Sequence, residues 1–123
     1  MNIIRCLEDK KLLGQFIEDP RTWAAWLCFL RAFYARPPAE DDVDLYRRCT
    51  GRSTWPVEPS KEAWLVIGTR GGKSFVTGLL ATYIAAFQEH RLSPGEMGYV
   101  LCVAPTKKQS GIVKRYVGGF FAG

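Results

Sequence analysis

The sequence has 123 residues, of which 47% are hydrophobic and 24% charged, which is enough for one domain of ordinary size with a buried core. No stretch reaches the roughly 18 to 20 apolar residues that a membrane helix needs, and the N-terminus lacks the apolar run of a signal peptide. These features predict a soluble protein without a membrane partner. Lys and Arg outnumber Asp and Glu by 17 to 12. This excess fits either a solvated basic surface or a nucleic-acid footprint.

The four cysteines are Cys6, Cys28, Cys49 and Cys102, and none of them forms a CxxC pair. The one histidine, His90, has no neighbour of metal-ligand type in the sequence. The sequence therefore predicts no protein metal site. Cys28 and Cys102 lie in apolar runs, so we expect both to be buried and the protein to reside in a reducing, intracellular compartment.

Residues 1–60 are expected to form an N-terminal helical segment followed by a loop. A short helix is predicted around Leu7 to Ile17. A longer one is predicted over Asp19 to Tyr34, with Asp19 as N-cap and Pro20 at the first helical position. Its large side chains recur at three- and four-residue spacing, which is typical of core packing, with an interaction surface as the alternative. They are Trp23, Trp26, Leu27, Leu30, Phe33 and Tyr34.

A proline pair, Pro37 and Pro38, ends the longer helix. The acidic stretch at 39–44 then predicts a short helical piece that ends near residues 50–56. Residues 51–60 are predicted to form a loop that precedes the first predicted strand.

Residues 61–123 read as strand, loop, helix, strand, helix. The apolar runs AWLVIG (63–68) and GYVLCVA (98–104) are typical of strands covered on both faces. The stretch between them predicts a buried helix over 75–87, and an apolar stripe from Ile112 to Phe121 predicts a last one. This order predicts an α/β fold with parallel strands and a right-handed crossover, the incomplete sheet of a P-loop NTPase.

The candidate site is the loop GTRGGKS at 68–74, between the first predicted strand and its helix. Glycines let the backbone surround a phosphate, a lysine reaches the β and γ phosphates, and a serine hydroxyl coordinates Mg²⁺. The loop thus predicts ATP with Mg²⁺ as ligand. The strict pattern has its leading glycine one place earlier, where Ile67 stands. The predicted nucleotide-binding residues are Gly68, Thr69, Arg70, Gly71, Gly72, Lys73 and Ser74, with Ser74 also acting on the metal.

A glycine-rich turn that ends in a basic residue is the alternative interpretation of this loop. Arg70 is the one catalytic candidate, because an arginine three residues before the lysine can contact the γ phosphate or sense its state. A solvated loop arginine is the alternative for that residue.

The segments LVIGTRGGKSFVTGLLATYIAAF and PGEMGYVLCVAPTKKQSGIVKRYV resemble the large subunit of tailed-phage terminase, in members whose loop reads GRRGGKS. Thr69 replaces the first arginine of that form. The resemblance covers roughly residues 20–121, including LYRRCTGR at 45–52, where Arg52 would contact the adenine. The second segment is also similar, more loosely, to DEAD-box helicases.

The resemblance implies an ATPase joined to a ribonuclease H-like nuclease, which together drive double-stranded DNA into a viral capsid. It further implies a portal and a small terminase subunit as partners, a ring-shaped homo-oligomer, and the cytoplasm of an infected or prophage-carrying bacterium.

The acidic residues that such motors need after the phosphate loop are missing. Only Glu89 and Glu96 follow Ser74, and neither comes after an apolar strand. We therefore expect the chain alone to hydrolyse no ATP and interpret it as a truncated gene, a fragment or one piece of a split protein. A helicase-like translocase and a non-catalytic remnant that kept the fold are the alternatives.

Overall fold

The computed structural model describes residues 2–19, 21–68 and 72–123. It contains five α-helices in that part of the chain: α1 (Ile3–Glu8), α2 (Ala24–Phe33), α3 (Asp42–Thr50), α4 (Lys73–Ala86) and α5 (Lys107–Ala122). A single 3-10 turn, Leu13–Phe16, follows α1. The chain divides into two compact units, of which the first comprises Met1–Cys6 with Ile67–Gly123 and the second Leu7–Val66. The boundary predicted after residue 60 stays a prediction.

The second unit is built on the packing of α2 against α3. Its core contains Cys28, Ala32 and Tyr46, and the half-buried Trp55 packs on Tyr46 with ring centroids 5.2 Å apart. The indole N–H of Trp55 donates to the carbonyl of Arg36 at 2.9 Å, which satisfies its polar edge inside an apolar contact. These interactions fix the loop of residues 51–60, which has neither helix nor strand, as predicted.

Helix α3 ends at a glycine for a conformational reason. Gly51 follows its last residue with φ of 71°, in the left-handed region, and its N–H donates to the carbonyl of Arg47 at 2.9 Å. Acidic residues in the first turn and basic residues in the last turn complement the helix dipole at both ends. The predicted short helical piece after residue 39 is confirmed as α3.

The first unit is built on the packing of α4 against α5. Phe75 of α4 meets the rings of Tyr116 and Phe120 edge-on, with centroids 5.6 and 5.2 Å away. Gly78 lies at a close contact between the two helices, because a Cβ on it would be 2.8 Å from the Cβ of Tyr116. The apolar stripe predicted for the last helix therefore packs, in part, on α4.

The predicted α/β fold is wrong. The described residues contain helices but no strand, and most residues of the runs predicted as buried strands are exposed. Trp64 in the first run is 89% exposed, and Leu101 in the second is 85% exposed. A strand is stable only when neighbouring strands satisfy its backbone and its faces are covered, which generally takes three or more. An apolar run indicates that its residues favour burial. Burial also requires other elements of the chain that pack against the run.

Three local expectations also need correction. Cys28 is buried as predicted, but Cys102 is exposed, as are most of the described residues around it. Helix α2 begins at Ala24 rather than beside Asp19, which instead accepts hydrogen bonds from Arg21 and Thr22 in a turn. The prediction that Pro20 occupies the first helical position concerns a residue outside the described ranges. The helix predicted around Leu7 to Ile17 is replaced by α1 and the 3-10 turn.

Candidate phosphate-binding site

The candidate site is the entry into α4. Gly72 precedes the helix with φ of 81° and ψ of 12°, a left-handed conformation that would cost another residue about 1 kcal/mol or more. Lys73 is the first helical residue and is exposed, and Ser74 follows half-buried. The glycine thus bends the backbone so that the lysine and the serine open a helix of 14 residues.

The two long helices of the first unit begin differently. Thr106 precedes α5, and its hydroxyl accepts a hydrogen bond from the backbone N–H of Gln109 at 3.2 Å. Gly72 has no side chain with which to do this at the start of α4. The first N–H groups of a helix lack intrahelical acceptors and carry partial positive charge. The start of α5 is therefore capped by a side chain, whereas the residue that precedes α4 provides no such cap.

The other predicted nucleotide-binding residues divide into three groups. Thr69, Arg70 and Gly71 lie outside the described residues. Gly68 is exposed with open space around it, so its local backbone geometry does not demand a glycine. Arg52 is exposed in the second unit, where its N–H donates to the Thr50 hydroxyl at 3.1 Å. Of the predicted residues that the structure describes, Gly72, Lys73 and Ser74 lie together at the start of α4.

Across the described ranges there is no group of three His, Cys, Asp or Glu side chains able to hold a metal ion. Mg²⁺ binds proteins commonly through one or two side chains together with the phosphates of a nucleotide. Ser74 follows Lys73 in the first turn of α4, and its predicted contact with Mg²⁺ stays a prediction.

A second cationic feature, which was not predicted from the sequence, lies on α5. The exposed side chains of Lys107, Lys108, Lys114 and Arg115 repeat at a spacing of seven residues. At 100° per residue they occupy the face opposite to Phe120, which is buried. We call these four residues the α5 basic face. The seven-residue repeat of cations around Gly111 is the sequence pattern from which the α5 basic face could have been predicted.

None of the ion pairs found among the described residues involves the α5 basic face. The sequence contains no Asp or Glu after Glu96. Gly111 and Gly118 lie between the two rows of cations, and each has open space where a side chain would project. Cations seven residues apart are separated by about 10.5 Å along a helix. The face is therefore a smooth, positively charged strip.

No family model matches the chain, and neither the curated proteins nor the solved structures provide a match. In the part of the chain that the structure describes, no helix is long and apolar enough to cross a membrane.

Proposed function

We propose that the chain binds the phosphates of ATP at the start of α4 and is a nucleotide-binding segment of a DNA-translocating ATPase of the terminase type. The observation that carries the proposal is the left-handed Gly72 leading directly into a helix that opens with Lys73 and Ser74. Backbone N–H groups, a full positive charge and a hydroxyl then lie within three consecutive residues. Those are the groups that a magnesium–triphosphate complex requires.

The proposal assigns Lys73 the largest share of the binding free energy. Its ammonium adds a charge to a helix terminus that otherwise offers only dipoles, and charge-assisted hydrogen bonds are roughly twice as strong as neutral ones. Ser74 acts through Mg²⁺. Arg70 has a lesser share in ground-state binding, because a γ-phosphate sensor acts mainly in the transition state.

Calorimetry with ATP, with and without Mg²⁺, tests this assignment. Lys73→Ala should weaken binding at least about tenfold, which corresponds to about 1.4 kcal/mol. Ser74→Ala should weaken it chiefly when Mg²⁺ is present. Lys107→Ala is the matched control, since Lys107 also opens a helix, but one whose N-terminus Thr106 already caps. Equal affinities for the wild type and Lys73→Ala would remove the phosphate-site assignment.

The α5 basic face supports the part of this proposal that makes double-stranded DNA the partner. Its cations are spaced to meet phosphates, and no aromatic side chain lies between the two rows on which an unpaired base could stack. These features favour the backbone of a duplex over a single strand. Contacts of this kind carry no sequence preference.

Salt-dependent binding to duplex DNA tests the role of the α5 basic face. Each phosphate neutralised contributes about −0.9 to the slope of log K against log salt concentration. Replacing Lys108 and Arg115 by alanine should therefore reduce the magnitude of the slope by about 2. The control is Lys61→Ala, an exposed lysine of the second unit. A slope that changes equally in both proteins would remove α5 from the DNA-binding surface.

A further inference from the structure

A cavity lies along one side of α5, next to the contact of this helix with α4. Its volume is about 360 Å³, which is within the range of small-molecule sites. Its lining consists of two aromatic rings, an aliphatic side chain, a cation and a glycine, which are Tyr116, Phe120, Ile112, Arg115 and Gly119. The two rings are nearly parallel, with an interplanar angle of 23° and centroids 6.4 Å apart. The cavity therefore combines flat aromatic surface with an exposed positive charge.

Gly119 contributes no side chain to this lining. At 100° per residue, it lies on the helix face between Arg115 and Tyr116. A Cβ built on Gly119 would meet no other atom within 4 Å. The cavity is consequently open at the position into which a side chain of residue 119 would project.

The cavity adjoins the start of α4. Phe75, in the first turn of α4, contacts the rings of both Tyr116 and Phe120, at centroid distances of 5.6 and 5.2 Å. A Cβ on Gly78, three residues later, would lie 3.5 Å from the carbonyl oxygen of Val113. The contacts thus move towards the start of α5 as α4 proceeds. The two helices therefore run antiparallel, and the end of α5 lies beside the start of α4.

We propose that this cavity binds the base of the nucleotide whose phosphates bind at the start of α4, an assignment that rests on the proposed function. Every base presents a flat π surface that stacks on aromatic side chains such as Tyr116 and Phe120. The guanidinium of Arg115 stacks on planar groups and donates to acceptors at the edge of a base. The phosphates of the same molecule then extend towards Lys73 and the positive end of α4.

The position and the charge of the cavity favour a nucleotide as its occupant. The cavity and the start of α4 belong to the same compact unit, whereas Arg52, which the resemblance assigns to the adenine, belongs to the other. The only charged side chain among the described residues that line the cavity is that of Arg115. The lining therefore attracts an anion that carries a flat ring, and it opposes no phosphate.

A cavity-filling substitution tests the proposal. Calorimetry compares ATP with inorganic tripolyphosphate, which lacks the base, both in the presence of Mg²⁺. Gly119→Leu should weaken ATP binding at least about tenfold and leave the affinity for tripolyphosphate within about twofold of the wild type. Gly118→Leu is the matched control, because Gly118 lies in the same helix with open space around it but does not line the cavity. It should change neither affinity.

A second variant removes an aromatic ring instead of filling the space. Tyr116→Leu keeps the Cβ that packs against Gly78 and an apolar side chain, but it offers no ring for stacking. It should weaken ATP binding about fivefold or more without changing the affinity for tripolyphosphate. Circular dichroism establishes that both variants retain the helical content of the wild type.

The two ligands distinguish a failure of the cavity assignment from a failure of the proposed function. If Lys73→Ala weakens tripolyphosphate binding but neither Gly119→Leu nor Tyr116→Leu weakens ATP binding, the cavity assignment alone is overturned. Equal losses of ATP and tripolyphosphate binding in Gly119→Leu would overturn it as well. If the wild type binds no tripolyphosphate, or binds it independently of Lys73, the phosphate site fails and the assignment of the cavity fails with it.

Discussion

Asp42 connects three parts of the second unit through one buried residue. Its carboxylate accepts hydrogen bonds from the Arg31 guanidinium at 3.0 Å and from the backbone N–H of Ala39 at 2.7 Å. Its backbone carbonyl accepts the thiol of Cys28 at 3.4 Å. The carboxylate thus orders both the entry into α3 and the contact of α3 with α2.

Asp42→Asn should destabilise the protein by about 3 kcal/mol, because Arg31 would remain largely buried without its counter-charge. Asp44→Asn is the control. It removes a charge from the same helical turn but breaks only the exposed pair with Arg48, which is worth about 0.5 kcal/mol or less. Urea unfolding measures both changes. Similar losses in the two variants would show that the dipole of α3, and not the buried pair, is responsible.

Cys28 should titrate only in strongly alkaline solution. Burial, followed by the nearby negative charge of Asp42 and the hydrogen bond to that residue, raises the pKa of the Cys28 thiol from 9.0 to about 11. The folded state therefore holds this proton more tightly than the unfolded state does. The resulting stabilisation is fully present below about pH 9 and is lost as the pH rises towards about 11.

Unfolding experiments at a series of pH values measure this effect by comparing the wild type with Cys28→Ala. The stability difference between the two proteins should shrink between about pH 9 and pH 11. A difference that stays constant across this range would contradict the raised pKa. At pH 8 the exposed Cys49 should react with iodoacetamide much faster than Cys28 in the native protein.

At the scale of elements, Gly78 decides how closely α4 and α5 pack. Alanine in the middle of a helix is normally favoured over glycine by about 1 kcal/mol. At this position the added methyl group would lie 2.8 Å from the Cβ of Tyr116, and that atom cannot rotate away. Overpacking costs about 1 to 3 kcal/mol, so Gly78→Ala should be destabilising by up to about 2 kcal/mol.

Gly118→Ala is the control that separates helix propensity from overpacking, because Gly118 lies within α5 with open space around it. There the gain in helix propensity is unopposed, and stability should rise by up to about 1 kcal/mol. Thermal unfolding of the two variants gives the comparison. If both variants were stabilised, the close contact of Gly78 with Tyr116 would not limit the packing of the pair.

The elements also show what the sequence can and cannot predict. The helix from Lys73 and the helix carrying Phe120 were predicted because each has a continuous run long enough to propagate and a face to pack. The start of α4 at the glycine-rich loop followed from local chemistry, since Gly72 can adopt a positive φ. The runs at 63–68 and 98–104 have equally clear apolar patterns. Their partners, however, depend on long-range pairing, which local patterns do not encode.

At the scale of the whole molecule, the chain should bind nucleotide without hydrolysing it. The only acidic side chains after Ser74 are Glu89 and Glu96, and the latter already accepts a hydrogen bond from the backbone N–H of Ser93. A motor of this type needs one carboxylate on the metal and another to activate water. The expected phosphate release in the presence of Mg²⁺ and ATP is therefore that of buffer alone. Turnover that Lys73→Ala abolishes would contradict this expectation.

A hydrogen bond joins the loop of residues 51–60 to the end of α2, and it has a consequence for amide exchange. The N–H of Ser60 donates to the carbonyl of Phe33 at 2.7 Å, so this loop amide is tied to the end of a helix far away in sequence. Its exchange with deuterium requires the loop to separate from the helix. The Ser60 amide should therefore report opening of the second unit, whereas neighbouring loop amides exchange through local fluctuations.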